Sequence, residues 1–242
     1  EPKTALMLEP YVGGGTGPVQ FEDVELDELF DAADTAKLQV HAHAIGDAAV
    51  RQVLDAQARL VARRGPEDRR PILAHLEFVS PEDAPLFATL GAIADMQALW
   101  AYPDPYVTAL TVPVVGELRA NAAYPFGDLA LAGAPLAAGS DWSVTTLNPW
   151  PAIEVAVTRR DPDAPGDALG VRQGLTLDQI VAAYTLGGAH AVFADAWLGR
   201  IAPGFKADFV VLDRDPWGIA AEELSEVKVK LTAVEGEILP AP

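Results

Sequence analysis

The residues of this chain best suited to chemistry are few and cluster at strand ends. Four histidines occur in 242 residues, and two of them, His41 and His43, share the stretch "HAHAIGD". A third, His75, stands in "PILAHLEF", and an aspartate, Asp141, closes "APLAAGSD". Neutral imidazole is the commonest nitrogen ligand of zinc and related ions. A carboxylate beside such an ion binds it and takes a proton from its water. His43, His75 and Asp141 therefore point to metal-assisted hydrolysis. Each has a bland reading too. A strand-end histidine can be a core residue bonded to a backbone carbonyl, and a strand-end aspartate can be the N-cap of the next helix. Two successive strands that each deliver a histidine at the C-terminal end are harder to explain as packing.

The surrounding elements explain that placement. Leu26, Leu29, Phe30 and Ala33 recur at helical spacing, and "KLQVHAH" follows as a short buried strand. An amphipathic helix opens at Asp47, read as its cap with Gly46 allowing a sharp turn, and ends at "RRG". "PILAHLEF" is a second strand. "SPEDAPLFATLG" is a helix with Ser80 as N-cap and Pro81 at the first position, and "AIADMQ" is a third strand. Helical "TVPVVGELRANAA" and "FGDLALAG" precede a fourth strand, "APLAAGSD". A helix over 151–159 and another in "TLDQIVAAYTLGGAHAVF", with Thr176 as N-cap, complete the series. Mostly apolar strands alternating with helices predict a parallel β/α architecture, whose C-terminal strand ends carry the chemistry. His43, His75, Gln97 and Asp141 all fall at such ends. His41 points to the same side as His43 but lies deeper, as a packing residue. His190, in a helical stripe, reads as structural. Gln97, Trp100, Tyr102 and Arg119 are candidate substrate contacts, although aromatic residues beside prolines commonly only pack. Past Leu198 the text turns Gly-punctuated and β-rich, so residues 1–197 and 198–242 divide into a barrel part and a small β part.

Bulk composition narrows the partners. Seventeen Lys and Arg against 35 Asp and Glu leave a net charge of −18, which argues against nucleic acid and anionic membranes as partners. With no cysteine there is neither a disulfide framework nor a thiolate metal site. No apolar run reaches bilayer length and no signal peptide opens the chain, so the expected setting is cytoplasmic. A phosphate-binding barrel is a weaker alternative, since neither "GSDWS" nor "LGGAH" makes a phosphate loop.

The blocks "HAHAIGDAAVRQVLDA", "AHLEFVSPED", "GAIADMQALW", "YPFGDL", "LAAGSDWSV", "NPWPAIEVAVTRR", "TLDQIVAAYTLGGAHA" and "GRIAPGFKADFVVLDRDP" resemble, in order, those of YtcJ-like metal-dependent amidohydrolases, the amidohydrolase-3 branch of that superfamily. The resemblance runs through nearly the whole chain. It implies a (β/α)8 TIM barrel with a small β-sandwich built from both chain ends. Its metal site takes an HxH pair from the first strand, a Lys or Glu-type bridge from the fourth, histidines from the fifth and sixth, and an Asp from the eighth. Carried over, His43 is the fifth-strand ligand, His75 the sixth-strand ligand and Asp141 the eighth-strand ligand and general base. The first four strands have no counterpart here, and Lys3 is a poor match for the bridge. The implied reading is the C-terminal half of a longer enzyme, covering strands five to eight. Its reaction would be metal-dependent hydrolysis of C–N bonds in amides, cyclic amides or amidines, with one or two divalent ions, zinc by preference. The partners implied are a small-molecule substrate and the N-terminal half of the same barrel, with homo-oligomerisation left open. The competing reading is a non-catalytic barrel fragment lacking the first-strand ligands, inactive as this isolated segment.

Overall fold

A computed structural model describes residues 3–164 and 166–239. The chain divides into two compact units. One comprises Glu1–Met96, Pro103–Leu136 and Leu169–Gln173, and the other Gln97–Tyr102, Ala137–Ala168 and Gly174–Pro242.

Strand and helix alternate through the first unit: α1 (Asp23–Ala36), β1 (His41–Ala44), α2 (Asp47–Arg64), β2 (Ile72–His75), α3 (Ala84–Leu90) and β3 (Ile93–Met96). Short helices α4 (Val112–Val115), α5 (Glu117–Ala120) and α6 (Phe126–Leu131) follow, then β4 (Leu136–Ala138), whose first residue belongs to this unit and whose last two belong to the other. The four strands form one sheet in the order β1-β2-β3-β4. β1 pairs β2 and β2 pairs β3 in parallel, with His43 opposite Ala74 and Ala74 opposite Asp95. This is the α/β parallel sheet that the apolar strands predict. One face carries Ala44, Leu73 and Ala94 into a core shared with Phe30 of α1, Val50, Leu54 and Leu60 of α2, and Phe87 of α3. Side chains alternate along a strand, so His41, His43 and Asp95 belong to the opposite face.

Local chemistry sets the helix ends. Glu22 and Glu25 form a capping box at the start of α1, and Gly65 stops α2. Asp27 and Asp31, on one side of α1, accept from Arg59 and Arg64 of α2 at 2.8 and 2.7 Å, which ties the two helices edge to edge, and Asp34 accepts from Arg69, past the end of α2, at 2.7 Å. Two expectations need correction. β1 begins at His41 rather than Lys37. α3 begins at Ala84, not Pro81, because the amides of Asp83 and Ala84 both bond the Ser80 carbonyl and make a separate turn first. That turn drives Asp83 inward, where it is 2% exposed. Arg51 meets it with Nε at 3.0 and 3.1 Å and Nη2 at 2.9 Å from the carboxylate. Desolvation pushes the Asp83 carboxyl up from its ordinary range, and the bonds and charge of Arg51 pull against that shift. Removing the cation strands a desolvated carboxylate. Arg51→Met is expected to cost about 1–3 kcal/mol, the usual range for an unsatisfied buried acceptor, because Arg51 itself is only half-buried. A melting temperature lowered by roughly 3–10 °C, largely restored in Arg51→Met/Asp83→Asn, is the check.

In the second unit, α7 (Trp150–Thr158) buries Ile153, Val155 and Ala156 and packs against the turn at Ala98–Trp100 and the short helical segment Ala221–Glu226. α8 (Leu177–Ala182) starts at Thr176, whose side chain accepts from the Gln179 amide while the Gln179 side chain accepts from the Thr176 amide, as the sequence predicts. The helix continues through a wider turn at Ala183–Gly187 into α9 (Gly188–Ala191). The β-rich tail folds as β5 (Phe209–Leu212), β6 (Val229–Val234) and β7 (Glu237–Leu239), an antiparallel sheet in that order.

Candidate metal centre

The two histidines of β1 and β2 meet. The rings of His43 and His75 lie 3.9 Å apart between centroids and are tilted by 42°. Strand alternation alone would not bring them together. His43 pairs with Ala74, whereas His75 pairs with Ala44, which faces the helix layer. His75 should therefore point toward the helices. Instead the backbone turns left-handed there, with φ 75° at His75 and 53° at Leu76. The reversal carries the imidazole to the His43 side and sends Leu76, fully buried, into the helix-side core. Left-handed conformation at two successive non-glycine residues is unfavourable, and such strain collects at functional sites.

The same face holds a group that the sequence reading passed over. Asp95, in register with His43 through Ala74, brings Oδ2 to 3.8 Å from His41 Nε2. Its signal was available: an acid in the middle of apolar "AIADM". Glu77, two residues beyond His75, is a second such group. Burial pushes its carboxyl up to about 7; the Thr111 hydroxyl, donating at 3.4 Å, opposes the shift and the negative charge of Asp104 adds to it. A cavity of about 270 Å³ opens beside His43, lined by Thr4, Leu6, Phe21, Leu26 and Val53 among others.

The remaining candidates sit as follows. Asp47 is the first residue of α2 and not its cap; Oδ1 accepts from the Leu8 amide at 2.8 Å, holding the N-terminal segment over the end of β1. Arg119 donates to the carbonyls of Val115, Glu9 and Pro10 at 2.8, 3.1 and 2.8 Å, a brace for that same segment. Gln97 is buried, and Trp100 and Tyr102 are half-buried, all in the second unit. Asp141, also of that unit, is exposed with φ 52°, and its carbonyl accepts from the Val144 amide at 2.7 Å. His190 Nδ1 lies 3.0 Å from Asp195 Oδ2, half-exposed at the end of α9. Among the described residues, no three His, Asp or Glu side chains form a group that could hold a metal ion. The His43–His75 pair offers two nitrogen donors.

The model of the amidohydrolase family, Amidohydro_3, matches residues 2–240. The chain belongs to the amidohydrolase family. It is 32% identical over 238 residues to Protein LONG AFTER FAR-RED 3 of Arabidopsis thaliana, covering 98% of this chain and 40% of that protein. It is 30% identical over 241 residues to the YtcJ protein of Bacillus subtilis (strain 168), covering 98% of this chain and 44% of that one. Among solved structures, an uncharacterized metal-dependent hydrolase from Pyrococcus horikoshii OT3 aligns with a TM-score of 0.74 at 27% identity, over 90% of this chain and 43% of that chain. This amidohydrolase chain thus spans less than half the length of the curated relatives it matches. Family membership accounts for the parallel α/β sheet. No helix among the described residues is long and apolar enough to cross a membrane.

Proposed function

We propose that this chain contributes to a metal-dependent hydrolase of C–N bonds in amides, cyclic amides or amidines. The observation that carries the reading is the His43–His75 pair, two imidazoles from adjacent parallel strands brought ring to ring by a left-handed turn at His75. Neutral imidazole nitrogens suit zinc or a similar divalent ion, so the donor chemistry fits, while the count of two leaves the site short of the three or four ligands such ions take. The name of the Pyrococcus relative, a metal-dependent hydrolase, supports the same assignment. A divalent ion, when bound, supplies Lewis-acid activation of water and carbonyl. His43 and His75 would hold that ion. Asp141 contributes an acceptor oxygen that takes the proton of the attacking water and returns it to the leaving nitrogen. Gln97, Trp100, Tyr102 and Arg119 are the substrate-side residues of this reading.

On this reading β1 to β4 are strands five to eight of a (β/α)8 barrel, with residues 1–197 as its C-terminal half. Residues 198–242 belong to a small β-sandwich. The missing ligands come from the N-terminal half of a longer polypeptide, in keeping with the length of the relatives. A small-molecule substrate and a cytoplasmic setting complete the assignment. A second reading, a non-catalytic module, draws on the lack of any three-residue ligand group among the described residues.

Metal analysis separates the two. In the full-length polypeptide, His43→Ala and His75→Ala should each lower metal affinity by more than about tenfold, since even supporting residues around a ligand cost 10- to 100-fold. Amide hydrolysis should fall with occupancy. The isolated 242-residue chain should hold metal only weakly. Unchanged metal content in both variants would remove the proposed centre, and stoichiometric, tightly held metal in the isolated chain would show that its own residues suffice.

A further inference from the structure

We draw no further inference here: the strongest candidate, the largely apolar cavity of about 270 Å³ beside His43, walled by the N-terminal segment, α1 and α2 at the sheet edge that β1 forms, carries nothing, because it adjoins the site already described and nothing in the structure shows what covers it in a chain that spans less than half the length of its curated relatives.

Discussion

Asp141→Asn should lower the amide hydrolysis rate of the full-length protein by about 10² to 10⁴ while shifting its melting temperature by no more than about 2 °C. The rate term follows from the proposed role, since losing a positioned general base costs on the order of 10²- to 10⁴-fold and an amide cannot take the proton. The stability term follows from the structure. Asp141 is exposed, so no buried partner is stranded by the change. Its backbone is left-handed at φ 52°, a conformation that asparagine adopts as readily as aspartate. The turn is closed by the Asp141 carbonyl accepting from Val144, a bond indifferent to the side chain. Asparagine is also as good a helix cap as aspartate, so a purely structural Asp141 would lose neither stability nor activity. Hydrolysis rate beside thermal denaturation, on one amide that the wild type accepts, separates the outcomes. Near wild-type turnover in a stable variant would assign Asp141 to the loop alone.

Gly46→Ala should be the most damaging small substitution near the His43–His75 pair. Its backbone, φ −86° and ψ 152°, is open to any residue, so the glycine is not there to permit a turn, contrary to the sequence expectation. Space is the constraint. A Cβ at position 46 would lie 2.0 Å from the Leu6 carbonyl oxygen, 2.7 Å from its carbon and 3.0 Å from Met7 Sδ. Backbone cannot rotate away as a flexible side chain can. The segment at Leu6 and Met7 must lift, which loosens the bonds from the Ala49 amide to the Leu6 carbonyl and from the Leu8 amide to Asp47. It also disturbs buried Met7 and Tyr11, which pack with Phe78. Overpacking of this kind costs typically 1–3 kcal/mol, and two weakened hydrogen bonds add to it, for a total of about 2–4 kcal/mol. The expected fall in melting temperature is roughly 4–16 °C, with faster amide exchange at Leu8. Gly188→Ala is the control: φ lies in the helical range and the nearest atom to a new Cβ is 3.9 Å away, so stability should hold or rise slightly. Equal melting temperatures for Gly46→Ala and wild type would show that the N-terminal segment does not press on the end of β1.

The elements were legible because each is a short-range property. Apolar runs bounded by Gly and Pro mark β1 to β4, the helical stripes mark α1 and α2, and Thr176 with Gln179 marks the start of α8. Alternation of strand and helix was enough for a parallel α/β sheet, and the glycine-punctuated tail was enough for a small separate β layer, whose antiparallel pairing only the structure gives. The order of these elements also placed His43 and His75 at the ends of neighbouring strands. Whether the two rings could meet was a different matter. Period-two alternation assigns His75 to the helix side, and only a left-handed φ, sustained by the packing of Leu76 in the helix-side core, turns it over. The sign of a backbone torsion at a strand end depends on what the next residue must bury, and no local pattern reports it. The same holds for Asp83, carried inward by a turn and met by Arg51 from α2, and for Arg119, whose Nη1 and Nη2 are engaged by carbonyls more than a hundred residues away. Gly46 is the plainest case. Its neighbour in sequence is a helix start, but its reason for lacking a side chain is a carbonyl forty residues upstream that approaches too closely for a methyl group. Periodicity determined where the elements lie; contacts between distant segments decided which way the functional side chains face.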